Sequence, residues 1–419
     1  MVAAKDIIEV LYAPHKVFKK IVQNPGYIGP LLLLIVFVIA QVGGSYVVTT
    51  RSYIETSEPQ TAPLVAQGDL WTENAAYWHA NEGVTVSNNT DDYINGTYTK
   101  TSIEFAASDT SEVWMEINFN GSVACGVGSF ENVSFRVNRL VPGAAPANVS
   151  LYLYSLSDSN YYYDVTSLFA NSPANEWNNL TLAVGAGAEG WVSSSSSATW
   201  ENITGLKLDF VWSENVNADL LIDRLFFKGH YEALIDLYGI SYLANAALNA
   251  FAPFLFEWLL LTGLMYLLIK GLKGNVIWRP LMVAVGYALA VIVIQSFILI
   301  AVYTALPNVF YPLQVLAGAQ NEFTPAYQTI VDTIAPITYA TAVVQAIIYV
   351  WTVILGTFVV RAVTSDQKIA QQANMGAAAT ETTVTSEVEG FGWMKCLLVS
   401  GLSLFVTIIL LGLLLGIGL

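Results

Sequence analysis

Five stretches of this chain are apolar on every face, and one long stretch after the first of them alternates instead. Runs 28–49, 251–271, 281–305, 336–360 and 395–418 are each about long enough to cross a hydrocarbon core of roughly 30 Å as a helix. The second and third are joined by a short hinge holding Lys270, Lys273 and Arg279 and no acid. A helical hairpin of this kind satisfies its own backbone hydrogen bonds in lipid. Residues 50–236 read differently. Ser, Thr, Asn and Tyr are frequent there, and apolar residues recur at every second position in 133–137, 149–154, 180–184, 206–210 and 220–227. Asn, Gly, Pro and Ser lie between these runs. Several short strands at this spacing predict an all-β sandwich.

The flanking segments complete the layout. Residues 1–27 carry an amphipathic pattern in which Pro14 opens a helix. Val17, Phe18, Ile21 and Val22 share one face, with Lys16, Lys19 and Lys20 on another. Such a helix either rests on an anionic inner leaflet or simply signals topology. Residues 231–249 form a mixed lead into the second span. Pro312, Pro325 and Pro336 mark 310–335 as an outer loop, and 364–392 is a flexible loop of Ala, Thr, Gln and Glu with little to bury. The expected division is therefore a segment 1–27, a span 28–49, a sandwich 50–236, and four further spans within 237–419.

Composition agrees with a membrane protein, since 54% of the 419 residues are hydrophobic and only 12% charged. The net charge of −15 is lopsided, with 23 of the 32 acids inside 50–236. Outside that stretch the cations are Lys5, Lys16, Lys19, Lys20, Lys270, Lys273, Arg279, Arg361, Lys368 and Lys395. All fall in the N-terminal segment, the hinge and the loop before the last span. With five spans those segments share one side, which the positive-inside rule makes cytoplasmic. Residues 50–236 and the C-terminal end are then extracellular. The first run is too long for a signal-peptide core and is expected to be retained. Cys125 and Cys396 fall on opposite sides, so no disulfide between them is expected. His15, His79 and His230 are scattered. Seven N-x-S/T sequons, at Asn88, Asn95, Asn120, Asn132, Asn148, Asn179 and Asn202, are confined to the sandwich. They are either glycosylation sites on an outer domain or the chance product of an Asn- and Thr-rich composition.

Leu11, Pro14, Phe18 and Ile21 with Asn24, Pro25 and Pro30, then Gly271, Gly274, Leu281, Gly286 and Tyr287, then Trp351, Leu355 and Arg361, resemble the YIP family of five-span membrane domains. The resemblance covers 1–49 and 250–419 and implies a helical bundle. Residues 83–87, 95–99, 200–205 and 221–227 resemble recurring strand ends of galactose-binding-like jelly rolls, as in carbohydrate-binding modules. That resemblance covers roughly 65–230 and implies a jelly-roll sandwich inserted into an all-α membrane bundle.

The candidate residues each carry two readings. Glu257 is the one ionisable residue well inside an apolar run, where a charge must be neutralised, paired or turned to a polar interior. Gln41, Gln295 and Gln345 lie in three other runs and can join it in an interhelical cluster. The group is either a proton- or solute-handling site or a structural contact. Trp191, with Tyr161, Tyr162 and Tyr163, is a candidate sugar platform, while Trp177 and Trp200 read as core. In the resembling jelly rolls the acid matching Asp223 helps hold a structural calcium, with Asp92 and Asn95 as further oxygen donors here. The other role for Asp223 is acceptor for buried N–H groups.

No arrangement for nucleophilic catalysis, phosphate binding or zinc is present in the sequence, and an acidic domain does not suit nucleic acid. The expectation is a non-enzymatic envelope glycoprotein anchored in the lipid bilayer. Its sandwich binds surface glycans or another envelope or membrane protein, and its acidic, cysteine-poor exterior suits an archaeal surface. The alternative is a transporter or channel component using Glu257 and the glutamines.

Overall fold

The computed structural model describes residues 2–59, 70–95, 100–155, 159–170, 172–316, 322–365 and 390–415. Most of the expected flexible loop 364–392 lies outside them. The chain divides into two compact units. One comprises Met1–Arg51, Tyr238–Pro307 and Ile334–Leu419; the other comprises Ser52–Leu237 and Asn308–Thr333.

The first unit is helical. Five helices are long and apolar enough to cross a membrane: Ile28–Thr49, Leu234–Gly271, Trp278–Tyr303, Phe323–Ser365 and Trp393–Leu414. Leu234–Gly271 is interrupted at Gly239, whose backbone (φ 51°, ψ −133°) leaves the helical region. Beyond it Phe254, Trp258, Leu261, Met265 and Ile269 are buried at helical spacing and form one inward stripe. Large apolar side chains also face outward, among them Ile35, Ile39, Leu267, Phe297, Ile347 and Phe405. These helices are thus apolar on both the packed and the open side.

Two expectations change here. Pro336 does not end a loop but sits inside Phe323–Ser365. Helix on both sides of it leaves fewer unpaired backbone groups than any break would in apolar surroundings. The N-terminal apolar stripe does not lie free for a leaflet either. Residues Val2–Tyr12 and Pro14–Gln23 form two helices. Val10, Val17, Phe18 and Ile21 are buried in the core of the helical unit, and Lys20 Nζ meets Asp6 Oδ1 at 2.5 Å.

The second unit is a β-sandwich. Its strands are β1 (Ser52–Glu58), β2 (Trp78–Ala80), β3 (Thr85–Asn89), β4 (Ser102–Val123), β5 (Asn132–Val141), β6 (Asn148–Ser155), β7 (Asn160–Asp164), β8 (Trp177–Ala183), β9 (Val192–Ser193), β10 (Ile203–Ala233) and β11 (Val309–Tyr311). Residues 206–210 and 220–227, read from the sequence as two strands, belong to the single long β10. Register slips opposite β4 between Val211 and Ala218 let β10 and β4 pass together from one sheet to the other. One sheet runs β2–β4–β10–β6–β7–β9 and the other runs β3–β4–β10–β5–β8. Alternate residues point between them. Met115, Ile117, Leu151, Leu153, Leu206, Leu208 and Phe210 meet Phe105, Val133, Phe135, Val137, Leu220 and Ile222 in one fully buried core.

The segment after residue 307 completes this unit, although its prolines had marked it as loop. β11 pairs parallel to β1, with Ser52 opposite Val309. Leu313 packs on Phe226. Glu322 forms an ion pair with Arg136 of β5. Glu55 accepts hydrogen bonds from the N–H groups of Gly229 (2.9 Å) and Leu313 (2.7 Å). Burial raises the pKa of Glu55, and these donors together with Lys228 pull it back in part. Burial lowers that of Lys228, against the pull of Glu55. Arg136 on the outer face of β5 is thereby covered, Asn138 beside it donates to Asp92, and the polar Ser134, Arg136 and Asn138 are as buried as the apolar residues of the strand.

Candidate binding face of the sandwich

The outer face of the other sheet remains open, and alternation decides what stands on it. With Met115, Ile117, Leu151, Leu153, Leu206 and Leu208 turned inward, the intervening Trp114, Glu116, Tyr152, Tyr154, Lys207 and Asp209 point out. Strand register sets them in rows. Lys207 lies opposite Glu116 on one side and Tyr152 on the other, and Tyr152 lies opposite Tyr162. Asp209 lies opposite Trp114.

Lys207 ties the rows together. Its Nζ stands 4.9 Å from the centre of the Trp114 ring, 5.8 Å from that of Tyr152 and 3.3 Å from Asp209 Oδ2. Tyr154 donates its hydroxyl hydrogen to Glu116 Oε2 at 2.9 Å. Burial, then this hydrogen bond to Glu116, raises the Tyr154 pKa, so the phenol stays a donor. Asp209 Oδ1 is buried and has no hydrogen-bond partner among the described residues. The face therefore offers aromatic rings, a cation and two carboxylates.

The residues singled out from sequence are divided by the same alternation. Tyr162 stands on this face, but Tyr161 and Tyr163 point the other way. Tyr161 is buried and stacks on Trp200 at 3.8 Å, and Tyr163 packs edge-on against Trp191 at 5.0 Å. Trp191 also donates its indole N–H to Ala183 O at 2.8 Å. Tyr161–Tyr163 and Trp191 thus form no single platform, because three consecutive strand residues cannot share a face. Trp177 and Trp200 are half-buried rather than deep core, and Trp177 donates to Asp92 Oδ1 at 2.9 Å.

Beside the inward aromatic cluster lies an open pocket of about 760 Å³, lined by residues such as Gly126, Gly185, Glu131, Glu201 and Trp200. A Cβ on Gly185 would lie 2.6 Å from Gly126 Cα, so only glycine permits this loop contact. Its lining is mostly small residues, and one face of Trp200 is already taken by Tyr161. It is the poorer place for a ligand.

Asp223 is fully buried. Its Oδ1 accepts from the N–H of Arg224 (2.7 Å) and lies 3.3 Å from Thr72 Oγ1, and its Oδ2 accepts from the N–H of Ile94 (2.6 Å). Asp92 accepts from Asn138 at 2.8 Å besides Trp177, and Asn95 is exposed. These N–H and O–H donors fit the acceptor role of a buried Asp223. Among the described residues no group of three or more His, Cys, Asp or Glu is placed to hold a metal. Asn88, Asn95, Asn120 and Asn179 are exposed, and Asn132, Asn148 and Asn202 are half-buried.

In the helical unit, Glu257, Gln41, Gln295 and Gln345 line one cavity of about 480 Å³. Gln41 Nε2 donates to Ser296 Oγ at 3.0 Å, and Gln295 Nε2 donates to Gln345 Oε1.

No family model matches the chain, the YIP domain included, and no curated protein matches it in sequence. Solved structures resemble part of it. A family 11 carbohydrate-binding module from Clostridium thermocellum, solved with a β-1,3-1,4-mixed-linked tetrasaccharide, is 12% identical over 37% of this chain and 90% of that one, with a TM-score of 0.26. An exo-β-agarase is 12% identical over 38% of this chain, with a TM-score of 0.29, and the match spans only 24% of the agarase. An α-L-arabinofuranosidase, MgGH51, is 7% identical over 43% and 30% of the two chains, with a TM-score of 0.28. Likeness at this level assigns neither ligand nor activity to the chain.

Proposed function

We propose that the chain is a non-enzymatic membrane protein of the cell envelope whose sandwich binds surface glycans on the open face of β4, β10, β6 and β7. The face itself carries the reading. A pyranose presents C–H groups on its flat side and hydroxyls around its rim. Trp114, Tyr152 and Tyr162 supply flat apolar surfaces. Lys207, Glu116, Asp209 and Tyr154 supply donors and acceptors close around them. A protein partner would more often meet a broader apolar centre with charges at its rim.

The helical unit is the anchor in this reading, with five membrane spans and a cytoplasmic N-terminus. Outward-facing apolar side chains and the one-sided cations support it.

The test is a glycan array probed with the full chain in detergent micelles. Trp114→Ala and Tyr152→Ala are expected to abolish the binding seen with wild type, while Trp191→Ala leaves it in place. A silent array, or binding that survives both face variants, sinks the proposal. Protease digestion of the sandwich on intact cells checks the topology.

A further inference from the structure

We propose that the cavity in the helical unit is a binding site for a small organic cation, an ammonium group on a compact apolar body. Each of the five long helices contributes to its wall. Its polar lining is one carboxylate, Glu257, the amides of Gln41, Gln295 and Gln345, and the hydroxyls of Thr352 and Tyr349, while Phe37 and Tyr349 bring aromatic rings. The remaining wall is largely aliphatic.

The amides are partly engaged with Ser296 and with each other. Glu257 is not. It has no hydrogen-bond or ion-pair partner among the described residues, although four of the five helices place a polar side chain on the same cavity. A carboxylate among apolar helices keeps its charge only opposite a positive one, and a bound monovalent cation supplies that. A divalent ion would leave a net charge uncompensated in the same surroundings. A bare alkali ion needs a close shell of oxygens, and about 480 Å³ is too roomy for one. A carboxylate beside aromatic rings suits an ammonium group, which gains from both. The amide groups can meet a hydroxyl on the same ligand, and the aliphatic wall its carbon.

This site lies wholly within the helical unit and does not depend on glycan binding by the sandwich. The test uses the full chain in maltoside micelles, with tetramethylammonium chloride and ethanolamine hydrochloride as probes. Sodium chloride and tert-butanol control for ionic strength and for shape without charge. Both ammonium probes are expected to raise Tm by roughly 2–4 °C, and the controls are expected not to. Glu257→Gln, nearly the same in shape, should remove the shift. Calorimetric titration of the wild type with the same probes reads the site without any variant. No shift and no heat with the probes, a shift that survives in Glu257→Gln, or an equal shift from sodium overturns the proposal.

Discussion

Glu322→Ala tests the unexpected membership of the segment after residue 307 in the sandwich. Arg136 and Glu322 form an ion pair in which the arginine side chain is 5% exposed and the glutamate 30%. Arg136 Nη1 is already buried without a hydrogen-bond partner. Removing the carboxylate leaves the guanidinium buried and unpaired, a change that costs about 3–5 kcal/mol in closed interiors. Glu322 is partly open to water, so the expected loss is smaller, about 2–3 kcal/mol. The nearby charges act in the same direction. Glu55 and Glu322 face Arg136 and Lys228, and without Glu322 a single acid faces two cations. For a unit of this size the loss corresponds to a fall in Tm of about 4–12 °C. Tryptophan fluorescence is a suitable readout, because seven of the eleven tryptophans lie between residues 71 and 212. The double variant Arg136→Met, Glu322→Leu replaces the pair by apolar groups and should recover most of the loss. A Tm within 1 °C of wild type for Glu322→Ala, or a double variant no more stable than the single one, would refute the reasoning.

Two further outcomes follow from the packing. The Glu55 pKa is raised in the fold, so its contribution to stability is full below the unfolded value near 4.5 and is lost as pH rises through the folded one. Glu55→Gln should therefore gain stability relative to wild type as pH rises from 4 to 8. A constant difference between the two unfolding curves across that range would contradict this. In the helical unit, a Cβ on Gly286 would lie 2.7 Å from Pro30 Cβ and 2.8 Å from Trp258 Cε2, two rigid neighbours. Gly286→Ala should then cost about 1–3 kcal/mol, seen as a lower Tm in micelles. An unchanged Tm would mean that the helix contact is looser than these distances.

Periodicity was enough for the elements and for the side of each strand that meets the core. Five apolar runs became five long helices. The alternation in 133–137 and 206–210 placed Val133, Phe135, Val137, Leu206, Leu208 and Phe210 inside, because a strand turns every second side chain to the same face whatever it pairs with. That much is local and is written in consecutive residues. Which sheet face stays open is not local. Ser134, Arg136 and Asn138 alternate as outward residues do, yet they are buried, Arg136 against Glu322, 186 residues later, and Asn138 against Asp92. Trp114, Tyr152 and Lys207 lie on three strands far apart in sequence, so only their registers bring them together. Likewise, one acid and three glutamines in four apolar runs announce a need for partners, but their positions around one cavity depend on how the helices pack. Hydrophobic period is a property of neighbours along the chain; coverage and convergence are properties of neighbours in space.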